Sequence, residues 1–473
     1  MKRRFHSIIS LLAIILLMMA GTGCVEPLLP ESETVKQGKV ELPIKIYLPD
    51  GGFPTTKAGA GDARASVEEN TIYDLQVWMY THQDAGSTAY DAEGAVAYLR
   101  LTDINKQSGE YFEVNMPLPL YVLEDRNVLL FDFYVLANGH SAGFDLENEA
   151  LRKLTRATLK HRLLTGTDTS GFGSKMVDKV PERGLPMACF FNNDNRGFDL
   201  SFLKLGFSGA QMKAIKDLNG QVYSVSQATD MHLTEEQKTY VTSHCLTSES
   251  KWSWASLCPQ ISMVRTVSKL RFVFAKSVGM TGTEIISIEL VDSDGTTGVI
   301  PDSTYLFPRE KVSVSGIDLP TKSATVNEVA YEKLSWGAAG SPLLKDEAIK
   351  SDSNPLRLRS SSNVVDAVSG KAPANMTAQE YDSFLTSWVN DKSSTQKVIY
   401  LRESNKIIKG KIKYKVNGQE AEEPAAFSME ATGSFHRNHA WTIFAYFTSD
   451  GLNLEITTVP WTGTSNDGQH LKK

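Results

Sequence analysis

Along residues 39–49, KVELPIKIYLP, apolar and polar side chains alternate. Val40, Leu42, Ile44, Ile46 and Leu48 share one face, and Glu41, Pro43, Lys45 and Tyr47 share the other. A strict period of two predicts a half-buried β-strand. Pro43 has no amide hydrogen to give to a ladder, which predicts an edge position. Alternation resumes in YDLQVWMY, with Tyr73, Leu75, Val77 and Met79 on one face. GAVAYLRL, EYFEVNMPL and NVLLFDFYVLAN predict further strands. From about residue 261, SMVRTVSKLRFVFAK, GTEIISIELVD and QKVIYLRES predict more. The run HAWTIFAYFTSDGLNLEITTVPW reads as two strands around Ser-Asp-Gly, a hairpin signal.

Helical periodicity is confined to short stretches. Residues 145–164 place Leu151, Leu154 and the leucines near 163 at a 3.6 spacing. Thr234 and Gln237 have capping-box spacing, as do Thr377 and Glu380. The second pair opens a helix expected over 377–391, with Tyr381, Phe384, Leu385 and Trp388 on one stripe. Many short strands and few helices predict a mainly β protein, with two tandem β-sandwich-like domains meeting near residue 262.

The composition, 41% hydrophobic and 22% charged, is that of a soluble globular protein. A net charge of −6 argues against nucleic acid as a partner, because phosphate binding needs a basic surface. The first residues change the picture. Lys2, Arg3 and Arg4 precede an apolar stretch and then small residues up to Cys24. This pattern reads as a secretory signal peptide over 1–23, too short to span a membrane comfortably. A cysteine directly after small residues is where bacterial lipoproteins are cut and acylated, so Cys24 is the expected lipidation site. Thr22 and Gly23 suit that site, while Gly21 stands where leucine is usual. Residues 24–37 read as a Pro- and Glu-rich tether. Cys189, Cys245 and Cys258 remain, an odd number that leaves at least one thiol free; a Cys245–Cys258 disulfide and three buried thiols are both open.

Catalytic signatures are lacking. There is no GxSxG, HExxH or Gly-rich phosphate loop, so neither an enzyme nor a cofactor is expected. His436 and His439 are three apart, which on a strand puts them on opposite faces and argues against a shared metal. Asp292 and Asp294 lie in DSDGTTG, which reads as a hairpin turn rather than a calcium loop. Glu68–Glu69 and Glu422–Glu423 lie in polar stretches and read as solvated charge. Trp252 and Trp254, beside the domain boundary, read first as packing, though they could stack on sugar rings. They carry the alternative function, a monomeric surface glycan-binding lipoprotein.

Several segments form a series in order: IYDLQVWMY, FDFYVLANGH with Ala137 and Asn138, and GLPMACF with Pro186 and Met187. They continue in VRTVSKLRFVF with Arg265 and Lys269, and VIYLRES with Tyr400 and Glu403. SFHRNHAWTIFAYF and LNLEITTVPW close the series, with Arg437, Asn438, His439 and Trp461. Together these segments resemble the FimA/Mfa-type fimbrillins, the lipoprotein pilins of the type V pili of Bacteroidia. The resemblance implies two transthyretin-like β-sandwich domains, 65–262 and 263–473, preceded by a propeptide strand and loop, 38–64. It implies export as a lipoprotein to the cell outer membrane, then cutting by a trypsin-like surface protease after an Arg or Lys in the loop. The first strand, Val40 to Leu48, is then exchanged for a donor strand from another pilin subunit, and the product is an adhesive fimbrium. Arg64 lies 16 residues after Leu48, in a run of Gly, Ala, Thr and Asp suited to a protease cleft. Cutting there makes Ala65 the new first residue, and Lys57 is the second candidate. One departure is the polar run TGTSNDGQHLKK after Trp461, which is poorly suited to a donor strand. It sets a tip or accessory position beside a stem one.

Overall fold

The computed structural model describes residues 39–49, 67–102, 104, 111–124, 129–165, 176–293, 295, 297–314, 317–322, 331–337, 340–352, 395–429 and 435–460. Cys24, Lys57, Arg64, Ala65, Asp294, Trp461 and the helix expected over 377–391 lie outside the described residues.

The chain is mainly β, with a few short helices, as its periodicities predict. The first sandwich uses β1 (Lys39–Tyr47), β2 (Leu75–Thr81), β3 (Ala97–Leu101), β4 (Tyr111–Pro119), β5 (Leu130–Ala137), β6 (Met187–Phe191), β7 (Gln260–Ser262) and β8 (Val264–Arg265). One sheet has the order β7-β1-β4 and the facing sheet β8-β6-β5-β2-β3. Leu42, Ile44 and Ile46 from the small sheet meet Leu75, Val77, Phe133 and Val135 from the large one in a shared core. Every residue of β2 is buried, because the outer face of its sheet is covered as well. Trp78, Tyr80, Tyr134 and Leu136 on that face pack with Val267, Tyr400 and Ala440.

Three helices close the first sandwich: α2 (Gly209–Asp217), α3 (Val225–Asp230) and α4 (Glu235–His244), numbered after α1 (Val67–Asn70). Each of the three opens on a capping box, Ser208–Gln211, Ser224–Gln227 and Thr234–Gln237. The side chain of the first residue accepts from the backbone of the third helical residue, whose own side chain accepts from the cap's N–H. These helices deliver Ile215, Ala228, Tyr240 and Val241 to the core that holds β1.

The second sandwich uses β9 (Val267–Ser277), β10 (Glu284–Asp292), β11 (Leu334–Trp336), β12 (Thr395–Arg402), β13 (Ile408–Val416), β14 (Ala425–Ser428), β15 (His439–Thr448) and β16 (Gly451–Pro460). Strands run β16-β15-β9-β12 in one sheet, while β11, β10, β13 and β14 pair in the other. Phe272, Phe274, Ile288, Ile412, Trp441 and Ile443 share its core. The Ser-Asp-Gly hairpin forms as expected, with Thr448 paired to Gly451. Only Thr266 separates β8 from β9, so one extended run passes from the first sandwich into the second.

Two expectations are corrected. The helix over 145–164 is broken into a 3-10 turn, Glu149–Lys153, and an α-helical turn, Arg156–Lys160; Leu163–Thr165 is a strand. Asn148 accepts from the Ala150 amide and Thr155 from the Thr158 amide, so each polar side chain starts a new turn. Leu154 between them is extended, at ψ 132. β1 is also not an edge strand along its whole length, since it lies between β7 and β4. Its ladder with β7 spans only Lys45–Tyr47, and Pro43 sits before that ladder begins.

Candidate functional site

β1 is held from both sides. It pairs antiparallel with β4 from Lys39↔Pro119 to Tyr47↔Tyr111, and parallel with β7 from Lys45↔Gln260 to Tyr47↔Ser262. The Lys45 amide donates to the Pro259 carbonyl at 2.9 Å, and the Met263 amide to the Tyr47 carbonyl at 2.9 Å. Leu42, Ile44 and Ile46 are fully buried, Leu48 nearly so, and Val40 half-buried against the same core. Glu41 is exposed, while Lys45 and Tyr47 are half-buried. On that outer face the Lys45 ammonium stands 3.5 Å from the Tyr111 ring centroid, and the Tyr47 hydroxyl donates to Gln260 Oε1 at 3.2 Å. β1 is thus the link between β4 and β7 in its sheet. Withdrawing it would open an apolar groove with a hydrogen-bonding edge on each side.

Cys258 lies close to the Lys45 backbone, and Cys245 lies in the same core. Both thiols and that of Cys189 are free and buried, so no Cys245–Cys258 disulfide forms. Burial pushes each thiol up to about 12.

A second cluster lies where the sandwiches meet. α1 carries Glu69, which is 2% exposed, with a carboxylate oxygen 2.7 Å from the Lys269 ammonium of β9. The Tyr400 hydroxyl of β12 donates to the same carboxylate. Asn70 accepts from the Arg265 guanidinium of β8, and Arg265 also donates to Asn438 Oδ1 at 3.2 Å. Nearby, Arg437 donates to Glu403 at 2.7 Å and to the Leu306 carbonyl at 2.7 Å. Burial opposes the charge on Glu69, but Lys269, Tyr400 and Arg265 together outweigh it and hold its carboxyl below the usual range. Burial lowers Lys269 to about 8 despite Glu69, because Arg271 and Arg265 add positive charge beside it.

Arg265, Lys269, Tyr400, Glu403, Arg437, Asn438 and His439, named from the sequence, are brought together at this junction. Asn138 locks the adjoining turn at φ 56; it accepts from the Tyr73 amide at 2.8 Å and donates to the Leu185 carbonyl at 2.7 Å. The Thr266 amide donates to the Pro186 carbonyl at 3.0 Å. Glu69 corrects the sequence expectation of solvated charge, whereas Glu68, Glu422 and Glu423 are exposed as expected. A signal for Glu69 existed: Arg265, Lys269 and Arg271 stand within the strand-like run VRTVSKLRFVF, and buried cations require an anion.

Trp252 and Trp254 are only 1% and 6% exposed. The Trp252 indole donates to Gln227 Oε1 at 2.9 Å, and both rings pack in the core. They cannot present a face to a sugar ring, which removes the platform of the glycan-binding alternative. Through Gln227, Trp252 links the Ser224–Gln227 capping box to the core. At DSDGTTG the Gly295 amide donates to the Asp292 carbonyl at 2.9 Å and the Thr297 amide to Asp292 Oδ1 at 3.2 Å, forming a turn. His439 is buried with Nδ1 2.9 Å from the Arg437 carbonyl. Among the described residues no group of three or more His, Cys, Asp or Glu side chains is placed to hold a metal ion.

No family model and no curated protein matches the chain. Among solved structures it is similar to a candidate cell adhesion protein of Parabacteroides distasonis, at 12% identity over 91% of this chain and 98% of that chain, with a TM-score of 0.39. It is similar to a C-terminally truncated tip fimbrial protein, Mfa3, of Porphyromonas gingivalis, at 9% identity over 90% of this chain and 100% of that chain, with a TM-score of 0.37. A fimbrial assembly protein of Parabacteroides distasonis is also similar, at 10% identity over 89% of this chain and 99% of that chain, with a TM-score of 0.34.

Proposed function

We propose that the chain is a structural pilin subunit, exported as a lipoprotein acylated at Cys24 and matured by cutting after Arg64. The partners are a trypsin-like surface protease, the outer membrane before maturation, and other pilin subunits. Residues 65–262 and 263–473 are its two domains, and 38–64 is the propeptide. The single observation that carries the proposal is the placement of β1. It lies between β4 and β7, with Leu42, Ile44 and Ile46 fully buried, and joins the remainder through the segment that contains Arg64.

Burial of aliphatic side chains contributes about 1.5–3 kcal/mol each, so β1 contributes on the order of 10 kcal/mol. That is comparable to the net stability of a whole domain, about 5–15 kcal/mol. Loss of β1 therefore leaves a groove whose lowest free energy requires another strand, and β-augmentation supplies one. A donor of similar alternation replaces nearly the same contacts. Direction comes from the cut, since the original strand is no longer tethered. Proteins of fimbriae are among the similar solved structures; the reading for this chain rests on β1.

The test is limited digestion of the full chain by a trypsin-like protease, with sequencing of the new N-terminus. A start at Ala65 with an intact remainder is expected, and Arg64→Ala should abolish it. Cutting only at other positions, or general degradation, contradicts the proposal.

A further inference from the structure

We infer that α1 is a latch, separate from β1, that holds the start of the matured chain in the junction between the two sandwiches. The inference rests on the reading that the chain is cut between β1 and α1. Glu69 lies five residues beyond Arg64. Its partners are Lys269 on β9 and Tyr400 on β12, both in the second sandwich. Asn70 is bound by Arg265 on β8, and the chain then enters β2 of the first sandwich. The partners of β1 are β4 and β7. The two anchors on either side of Arg64 therefore grip different parts of the molecule.

The chemistry suits positioning. Burying an ion pair brings little net stability, because desolvation offsets the attraction, but removing one partner leaves an uncompensated buried charge. Glu69 lies 2.7 Å from Lys269, with Arg265 and Arg271 adding positive charge close by. A displaced α1 would take this carboxylate away from buried positive charge, which favours its present seat. Once β1 has left, this seat fixes where the new chain start lies. The residues ahead of Glu69, Ala-Ser-Val-Glu, offer no alternating aliphatic face that could refill the groove. The groove stays open for a strand from another subunit.

The test uses hydrogen exchange on the full chain carrying a specific protease site inserted after Arg64, so that cutting does not depend on natural maturation. After the cut and removal of β1, amides of 67–71 should stay as protected as before, while amides of β4 and β7 lose protection. Joint loss at 67–71 and β4 overturns the inference; failure of β1 to leave would instead count against the exchange reading. In the uncut chain, Glu69→Gln should lower protection at 67–71 by about tenfold or more, equivalent to ~1.4 kcal/mol, and leave β4 and β7 unchanged. Tyr400→Phe removes only the hydroxyl and should act in the same place, more weakly. Unchanged protection at 67–71 in both variants, or loosening of β4 with α1, overturns the latch.

Discussion

An Ile44→Asp chain is expected to lose the fold of its first sandwich. Ile44 is fully buried at the centre of β1, paired with Val114 of β4 and packed in the shared core. The substitution removes about 1.5–3 kcal/mol of apolar burial. It also places a carboxylate where the neighbours are aliphatic, so the group must stay protonated or leave the core, and either adds several kcal/mol. The total, above about 4 kcal/mol, is in the range that single substitutions reach only by burying unpaired charge or opening large cavities. Glu41→Asp is the matched control, since Glu41 is exposed on the opposite face and should change stability by less than about 0.5 kcal/mol. Chemical denaturation followed by far-UV circular dichroism reads both. Equal stability of the Ile44→Asp and parent chains would mean that β1 is not seated as described.

Acidification from pH 6.5 to 4 is expected to weaken the second sandwich by about 3 kcal/mol through His439 alone. The His439 ring is buried, with Nδ1–H donating to the Arg437 carbonyl. Among the described residues its Nε2 has no hydrogen-bond partner, and the rings of His436 and Trp441 lie each 5.8 Å away. Burial lowers its value from 6.5 to about 4; the Arg437 carbonyl and Glu403 act the other way, and His436 reinforces the lowering. Between those values the unfolded chain binds the proton and the folded chain does not, so stability falls as pH falls. Below about 4 this contribution levels off. Glu69 then takes over, because a carboxyl held below 4.5 contributes stability above that value and loses it as pH drops through the folded one. His439→Gln should flatten the slope between pH 6.5 and 4 in thermal melts. An unchanged slope would contradict the assignment.

How much of this was readable in the residues depended on whether one face or two was buried. β1 has one solvated face, so its period of two showed directly in Leu42, Ile44 and Ile46 against Glu41 and Lys45. β2 is covered on both faces, and its alternation gave no hint that Trp78 and Tyr80 meet the second sandwich. The stretch 145–164 had helical spacing of leucines, but Asn148 and Thr155 capped two shorter turns instead, a local competition that periodicity does not register. Thr234–Gln237 was legible as a capping box, and Ser208–Gln211 and Ser224–Gln227 carried the same spacing unread. Trp252 and Trp254, read first as packing at the domain boundary, are core, and their burial removes the sugar-platform alternative. Glu69 was hidden by its polar neighbours, because its partners Lys269 and Tyr400 lie 200 and 331 residues away.

The most direct test of strand exchange is uptake of a labelled synthetic peptide with the β1 sequence, KVELPIKIYLP, by the full chain before and after protease treatment. The cut protein should bind the peptide stoichiometrically as its own β1 is lost, the uncut protein should not, and a peptide carrying Ile44→Asp should fail with both. Equal uptake by cut and uncut protein, or no uptake by cut protein that has released β1, would contradict the account.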